Sequence, residues 1–121
     1  MKKLLTLVFV LGIVLPSFGG VKPKDVIGTW RYEVVLDSSS LTGIVTFVDK
    51  DGELDGVVNT DDGDTFPLSQ IELREDNVLY FELTSAENEH LEVLVTVKGK
   101  KFEGILTHPA GEVPITAEKI K

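Results

Sequence analysis

The sequence predicts an all-β protein, a roughly eight-stranded antiparallel up-and-down β-barrel, and three observations carry that expectation. Short runs of alternating apolar and polar residues recur at a spacing of about ten residues. Between them stand Gly, Asn, Asp and Ser, the residues that turns require. No stretch of the chain beyond residue 20 shows a helical period, and a meander closed into a barrel hides the edges it would otherwise offer to other chains.

The first twenty residues stand outside this pattern. Lys2 and Lys3 precede an apolar run from Leu4 to Leu15, and Pro16-Ser17-Phe18-Gly19-Gly20 follows with small residues at cleavage-compatible spacing. The run is shorter than the about twenty residues a membrane helix needs. The expectation is therefore a signal peptide over 1–20, cut near Gly19 or Gly20, and a single β-barrel domain over 21–121. A secreted or periplasmic destination follows, with no stable membrane insertion after cleavage. The chain has no cysteine, so packing alone must hold the fold in an oxidising compartment.

Residues 21–25 form a short Lys- and Pro-containing lead-in. A first strand then places Trp30, Tyr32, Val34 and Leu36 on the inner face, with Thr29, Arg31 and Glu33 outside. Beyond a polar turn from Asp37 to Ser40, residues 41–47 and 54–58 make a hairpin around Asp49-Lys50-Asp51-Gly52. Pairing Val48 with Glu53 sets Phe47 opposite Leu54, Val45 opposite Gly56 and Gly43 opposite Val58, so that small residues meet large ones.

Next comes Asp64 to Leu73, where the inward set shifts from Phe66 and Leu68 to Ile71 and Leu73. Proline donates no ladder hydrogen bond, so a bulge or corner is expected at Pro67 to Gln70. Val78 to Leu83 supplies another strand. A second hairpin turns on Gly99-Lys100, setting Val97 opposite Phe102, Val95 opposite Gly104 and Val93 opposite Leu106. The last strand carries Val113, Ile115 and Ala117. On the outer wall these registers put Ile44 beside Val57 and Leu94 beside Ile105. The inward set Trp30, Tyr32, Phe47, Phe66, Phe81 and Phe102 is bulky, which predicts a mostly filled barrel with at most a shallow pocket at its mouth.

Gly28-Thr29-Trp30, opening the first strand of a short meander, resembles the G-x-W signature of the calycin superfamily, the lipocalin-like and avidin-like barrels. The resemblance implies a lipocalin-like barrel in which Trp30 closes one end beneath a basic side chain from the last strand, Lys119 or Lys121. Small periplasmic barrels of this kind include inhibitors of lysozymes and proteases.

Catalytic and metal signatures are missing from the sequence. His90 and His108 lack partners at metal-ligand spacing, no serine sits in a nucleophile elbow, and neither Asp-rich loop has the EF-hand spacing. No enzyme activity, cofactor or metal is expected. The formal net charge is −8, and it becomes more negative once Lys2 and Lys3 leave with the leader, which disfavours nucleic acid. Alternate connections of a meander share one end, and that end gathers Asp37, Asp61, Asp62, Asp64, Glu87, Glu89 and Glu112, together with His108. None of its loops contains Lys or Arg. This acidic rim is the candidate binding surface, with Asp61, Asp62 and Asp64 at its centre.

The function expected is a secreted, non-enzymatic binding barrel whose partner is a small molecule or a basic protein. Two other readings fit the same residues. One is an inhibitor of a basic enzyme such as a lysozyme or protease, and the other is an envelope module without a dedicated ligand.

Overall fold

The computed structural model describes residues 21–121, so the signal peptide expected over 1–20 lies outside the described residues. A single helical turn, α1 (Pro23–Val26), leads into nine strands: β1 (Gly28–Val35), β2 (Ser40–Lys50), β3 (Glu53–Thr60), β4 (Thr65–Pro67), β5 (Ser69–Arg74), β6 (Val78–Thr84), β7 (His90–Lys98), β8 (Lys101–His108) and β9 (Gly111–Lys119). All belong to one antiparallel sheet in the order β4-β3-β2-β1-β9-β8-β7-β6-β5. The first and last long strands are neighbours, with Trp30 opposite Lys119 and Val34 opposite Ile115. That pairing wraps the sheet into a nearly closed up-and-down barrel.

Nine strands replace the expected eight because the fourth is broken where the sequence puts its proline. β4 ends at Pro67 and pairs only with β3, whereas β5 pairs only with β6 and shifts register between Ser69 and Glu72. Gln70 takes a positive φ of 52° there. Between the halves Leu68 turns inward over Gly56, and its N–H donates to the Gly56 carbonyl at 3.0 Å. The seam between β3 and β5 thus carries a side chain and a hydrogen bond in place of a ladder.

The first hairpin corrects the sequence-based register by two residues. Lys50 faces Glu53, Phe47 faces Gly56 and Val45 faces Val58, because Asp51-Gly52 forms a two-residue turn with both φ values positive. A slip of two keeps every side chain on its own face, so alternation alone cannot detect it. On the outside Ile44 consequently lies beside Asn59, not Val57. In the second hairpin Val97 faces Phe102, Val95 faces Gly104, Val93 faces Leu106 and, outside, Leu94 faces Ile105, as expected.

One end of the barrel is solid. Trp30, Phe47 and Leu79 are 0 % exposed and Phe102 is 1 % exposed. The Trp30 and Phe102 rings lie 5.0 Å apart, and Phe47 meets Phe81 edge-on at 5.5 Å. Below them α1, which the sequence presents only as a lead-in, inserts a fully buried Val26. The indole N–H of Trp30 donates to the Val26 carbonyl at 2.8 Å, so the buried polar atom of the largest core residue is satisfied by the plug itself. Lys119 completes the closure: its ammonium stands 5.6 Å from the Trp30 ring centre and donates to the Asp25 carbonyl at 3.2 Å.

Candidate functional site

The opposite end is hollow. A cavity of about 450 Å³ opens between the connections that carry Asp61 to Asp64 and Ser85 to Glu87, and it descends as far as Phe102. Its walls are the inward residues of eight strands, among them Val45, Val58, Phe66, Phe81, Leu83, Leu91, Val93, Leu106 and Ile115. The expectation of a mostly filled interior therefore holds for the Trp30 half and fails for the rim half. Trp30 and Phe47 fill the closed end together with Phe102, whereas nearer the mouth Tyr32, Phe66 and Phe81 share the wall with Val, Leu and Ile side chains and leave a void between them.

Tyr32 brings a phenol to the inner wall. It pairs with Gly43 across β1 and β2, and a methyl group at Gly43 would lie 2.6 Å from the Tyr32 hydroxyl. The glycine is what lets the phenol ring lie against the neighbouring backbone. Tyr32 is only 8 % exposed, yet its hydroxyl has no hydrogen-bond partner among the described residues. Burial raises its pKa above that of a free phenol, with the Asp61 charge a smaller contribution in the same direction.

The rim residues divide into two groups. Asp61, Asp62, Asp64 and Glu87 line the cavity mouth. Asp37, Glu89, His108 and Glu112 do not line it. Asp37 is exposed between β1 and β2, and the Glu89 N–H donates to the Ser85 hydroxyl at 3.2 Å. His108 ends β8 with its Nδ1 accepting from the Ala110 N–H at 3.3 Å, and Glu112 lies exposed opposite Thr107. His90 points elsewhere, its Nε2 3.3 Å from Glu82 and 3.6 Å from Glu92. The two histidines thus have separate surroundings. Among the described residues no group of three or more His, Cys, Asp or Glu is placed to hold a metal ion.

The structure corrects the picture of a rim without a basic partner. Arg31, an outward residue of β1, lies across β2 from Asp61 and donates to its carboxylate from both terminal guanidinium nitrogens, at 3.1 and 2.8 Å. The Thr42 hydroxyl donates to the same carboxylate. These hydrogen bonds, led by Arg31, hold Asp61 below the usual carboxylate range and raise the guanidinium of Arg31 in turn. A census of loop residues overlooks this partner, because Arg31 reaches the rim from the wall. Asp62, Asp64 and Glu87 form no ion pair among the described residues. Among the described residues the mouth therefore keeps a net negative charge, and no Lys, Arg or His lines the cavity.

Sequence reasoning concentrated on the rim and missed the wall beneath it. The signal was present in the alternation of β6 to β8, which turns Leu83, Leu91 and Leu106 inward.

No protein-family model and no curated protein matches the sequence. Solved structures similar to this chain include designed barrels. A redesigned β-barrel, mFAP1, bound to DFHBI, superposes with a TM-score of 0.63 at 19% identity, covering 81% of this chain and 97% of its own. Another redesigned β-barrel reaches a TM-score of 0.68 at 17% identity over 82% and 95% of the two chains. A de novo designed fluorescence-activating β-barrel gives 0.60 at 17% identity over 81% and 96%. At such identities the likeness concerns the fold, and it agrees with an all-β antiparallel barrel.

Proposed function

We propose that the protein is an exported, non-catalytic binding barrel that holds a small molecule in the cavity at its acidic end. The cavity carries this reading: about 450 Å³, apolar on its walls, open at the rim and floored by Phe102. That volume lies within the roughly 300–1,000 Å³ of small-molecule pockets, which are likewise apolar with a few polar groups. Further support comes from mFAP1, a barrel of similar fold whose structure is bound to DFHBI. Kinship with the calycins is supported by Trp30 beneath Lys119 at the closed end. Export is supported by the leader-like residues 1–20.

The test is binding of a neutral fluorescent probe, N-phenyl-1-naphthylamine. Its emission is expected to rise at one site per chain and to lose that rise in Leu106→Trp, which fills the cavity from the β8 wall. An increase that survives Leu106→Trp in a folded protein would place the probe on the outer surface and refute the proposal.

A further inference from the structure

Among the surface features of the described residues, one points to a ligand chemistry. The outer row of Tyr80, Leu94 and Ile105 is apolar, but nothing in the structure indicates what would cover it. His90 with Glu82 and Glu92 forms an exposed polar cluster, and the seam beside Leu68 is a shallow groove. The cavity mouth differs from all three because it joins an apolar void to uncompensated charge.

We infer that the cavity selects small organic cations, with an apolar or aromatic body lowered toward Phe102 and an ammonium group held at the mouth by Asp62, Asp64 and Glu87. This rests on the small-molecule reading above and gives that site a ligand class. An anionic ligand is disfavoured, because among the described residues no basic side chain lines the cavity and the guanidinium of Arg31 already holds Asp61. A neutral ligand would leave the carboxylates facing one another across an opening whose low-dielectric walls concentrate their field. A bare metal ion would gain nothing from the apolar depth below the rim.

Acidic loops by themselves would be consistent with a solvated edge, and here the independent observation is Tyr32. Its side chain is buried in the cavity wall, beside the Thr42 and Asp61 of the mouth, with its hydroxyl unpartnered among the described residues. Buried hydroxyls are ordinarily hydrogen-bonded, so an open position here marks a place for a polar atom of a guest. The cavity thus offers, from top to bottom, three carboxylates, one phenol and an aromatic floor. That sequence of groups complements an aryl-alkyl ammonium ion, whose ring also suits contact with Phe66, Phe81 and Phe102.

The experiment is calorimetric titration of the protein with three probes that share one ring system, 2-(2-naphthyl)ethylamine, 2-(2-naphthyl)ethanol and 2-naphthylacetate. The amine is expected to bind at least about tenfold more tightly than the alcohol, a difference of about 1.4 kcal/mol, with the carboxylate weakest. The combined change Asp62→Asn, Asp64→Asn and Glu87→Gln should bring the amine down to the alcohol and leave the alcohol unchanged. Added salt should weaken only the amine.

Equal affinity of amine and alcohol, both abolished by Leu106→Trp, would overturn the cation preference and leave the binding-barrel reading standing. Amine binding that resists Leu106→Trp, or binding of none of the three probes, would overturn both. If Leu106→Trp does not fold, Leu91→Trp blocks the cavity nearer its mouth and decides between the same outcomes.

Discussion

The two halves of this barrel are made from the same strands, the same alternation and the same small residues facing large ones, yet one is solid and the other hollow. At the closed end Trp30, Phe47, Leu79 and Phe102 meet across the axis and α1 seals the opening. At the rim the inward positions include Leu83, Leu91, Leu106 and Val113, which leave a void across the same width, and among the described residues no element covers them. Alternation decides which way a side chain points. Volume and the presence of a plug decide whether pointing inward makes a core or a cavity.

The comparison breaks most sharply on Trp30. Trp30→Ala removes the largest core side chain and leaves the Val26 carbonyl without its donor, so a loss of about 3–5 kcal/mol in denaturant unfolding is expected. Leu106→Ala, which enlarges a void already open to solvent, should cost less than about 2 kcal/mol, the lower limit for fully buried leucines. Similar losses for the two would mean that the rim half is packed in solution. Gly43→Ala sharpens the contrast from the rim side. The added methyl conflicts with the Tyr32 ring and the Asn59 carbonyl. A cost of about 1–3 kcal/mol is expected, as for overpacking elsewhere, together with a narrowed cavity that binds N-phenyl-1-naphthylamine more weakly.

Lys119→Ala tests the lid over Trp30. Loss of the cation–π contact and of the bond to Asp25 should cost about 0.5–1 kcal/mol and shift the Trp30 fluorescence without affecting probe binding at the other end. The smallest effect belongs to the Arg31–Asp61 pair, both of whose side chains are about half exposed. Asp61 has a folded-state pKa below its unfolded value, so its contribution is present above the ordinary carboxylate pKa and is lost as pH falls through the lower, folded value. Thermal unfolding followed from pH 5 downward should therefore show a steeper acid decline in the parent than in Asp61→Asn.

Much of the solid half is legible in the sequence. The inner face of β1, the register of the β7–β8 hairpin and the break after Pro67 all follow from local signals: strict alternation, a Gly-Lys turn and a residue without an N–H. The resemblance carried by Gly28-Thr29-Trp30 leaves Lys119 and Lys121 as alternatives above Trp30, and the structure puts Lys119 there.

The illegible parts have definite causes. In the first hairpin Asp49-Lys50-Asp51-Gly52 offers more than one turn, and the alternatives differ by two residues, so both satisfy the hydrophobic pattern. α1 is too short to show a helical period. The depth of the cavity depends on barrel radius, a property of strand number and shear that no single strand records. Asp61 is recognisable as a rim residue, but its partner Arg31 comes from another strand and acquires its role only when the sheet curves.

The hydrogen-bonded meeting of β1 with β9 has a consequence for how this fold is reached. The remaining long strands join their sequence neighbours through short turns and can zip up locally, whereas β1 must wait for the segment Gly111–Lys119. Without that pairing the sheet is open between β1 and β9. Closure is thus the most non-local event in the molecule and the natural slow step of folding. A chain kept from presenting its last strand would leave apolar surface and strand edges open to aggregation.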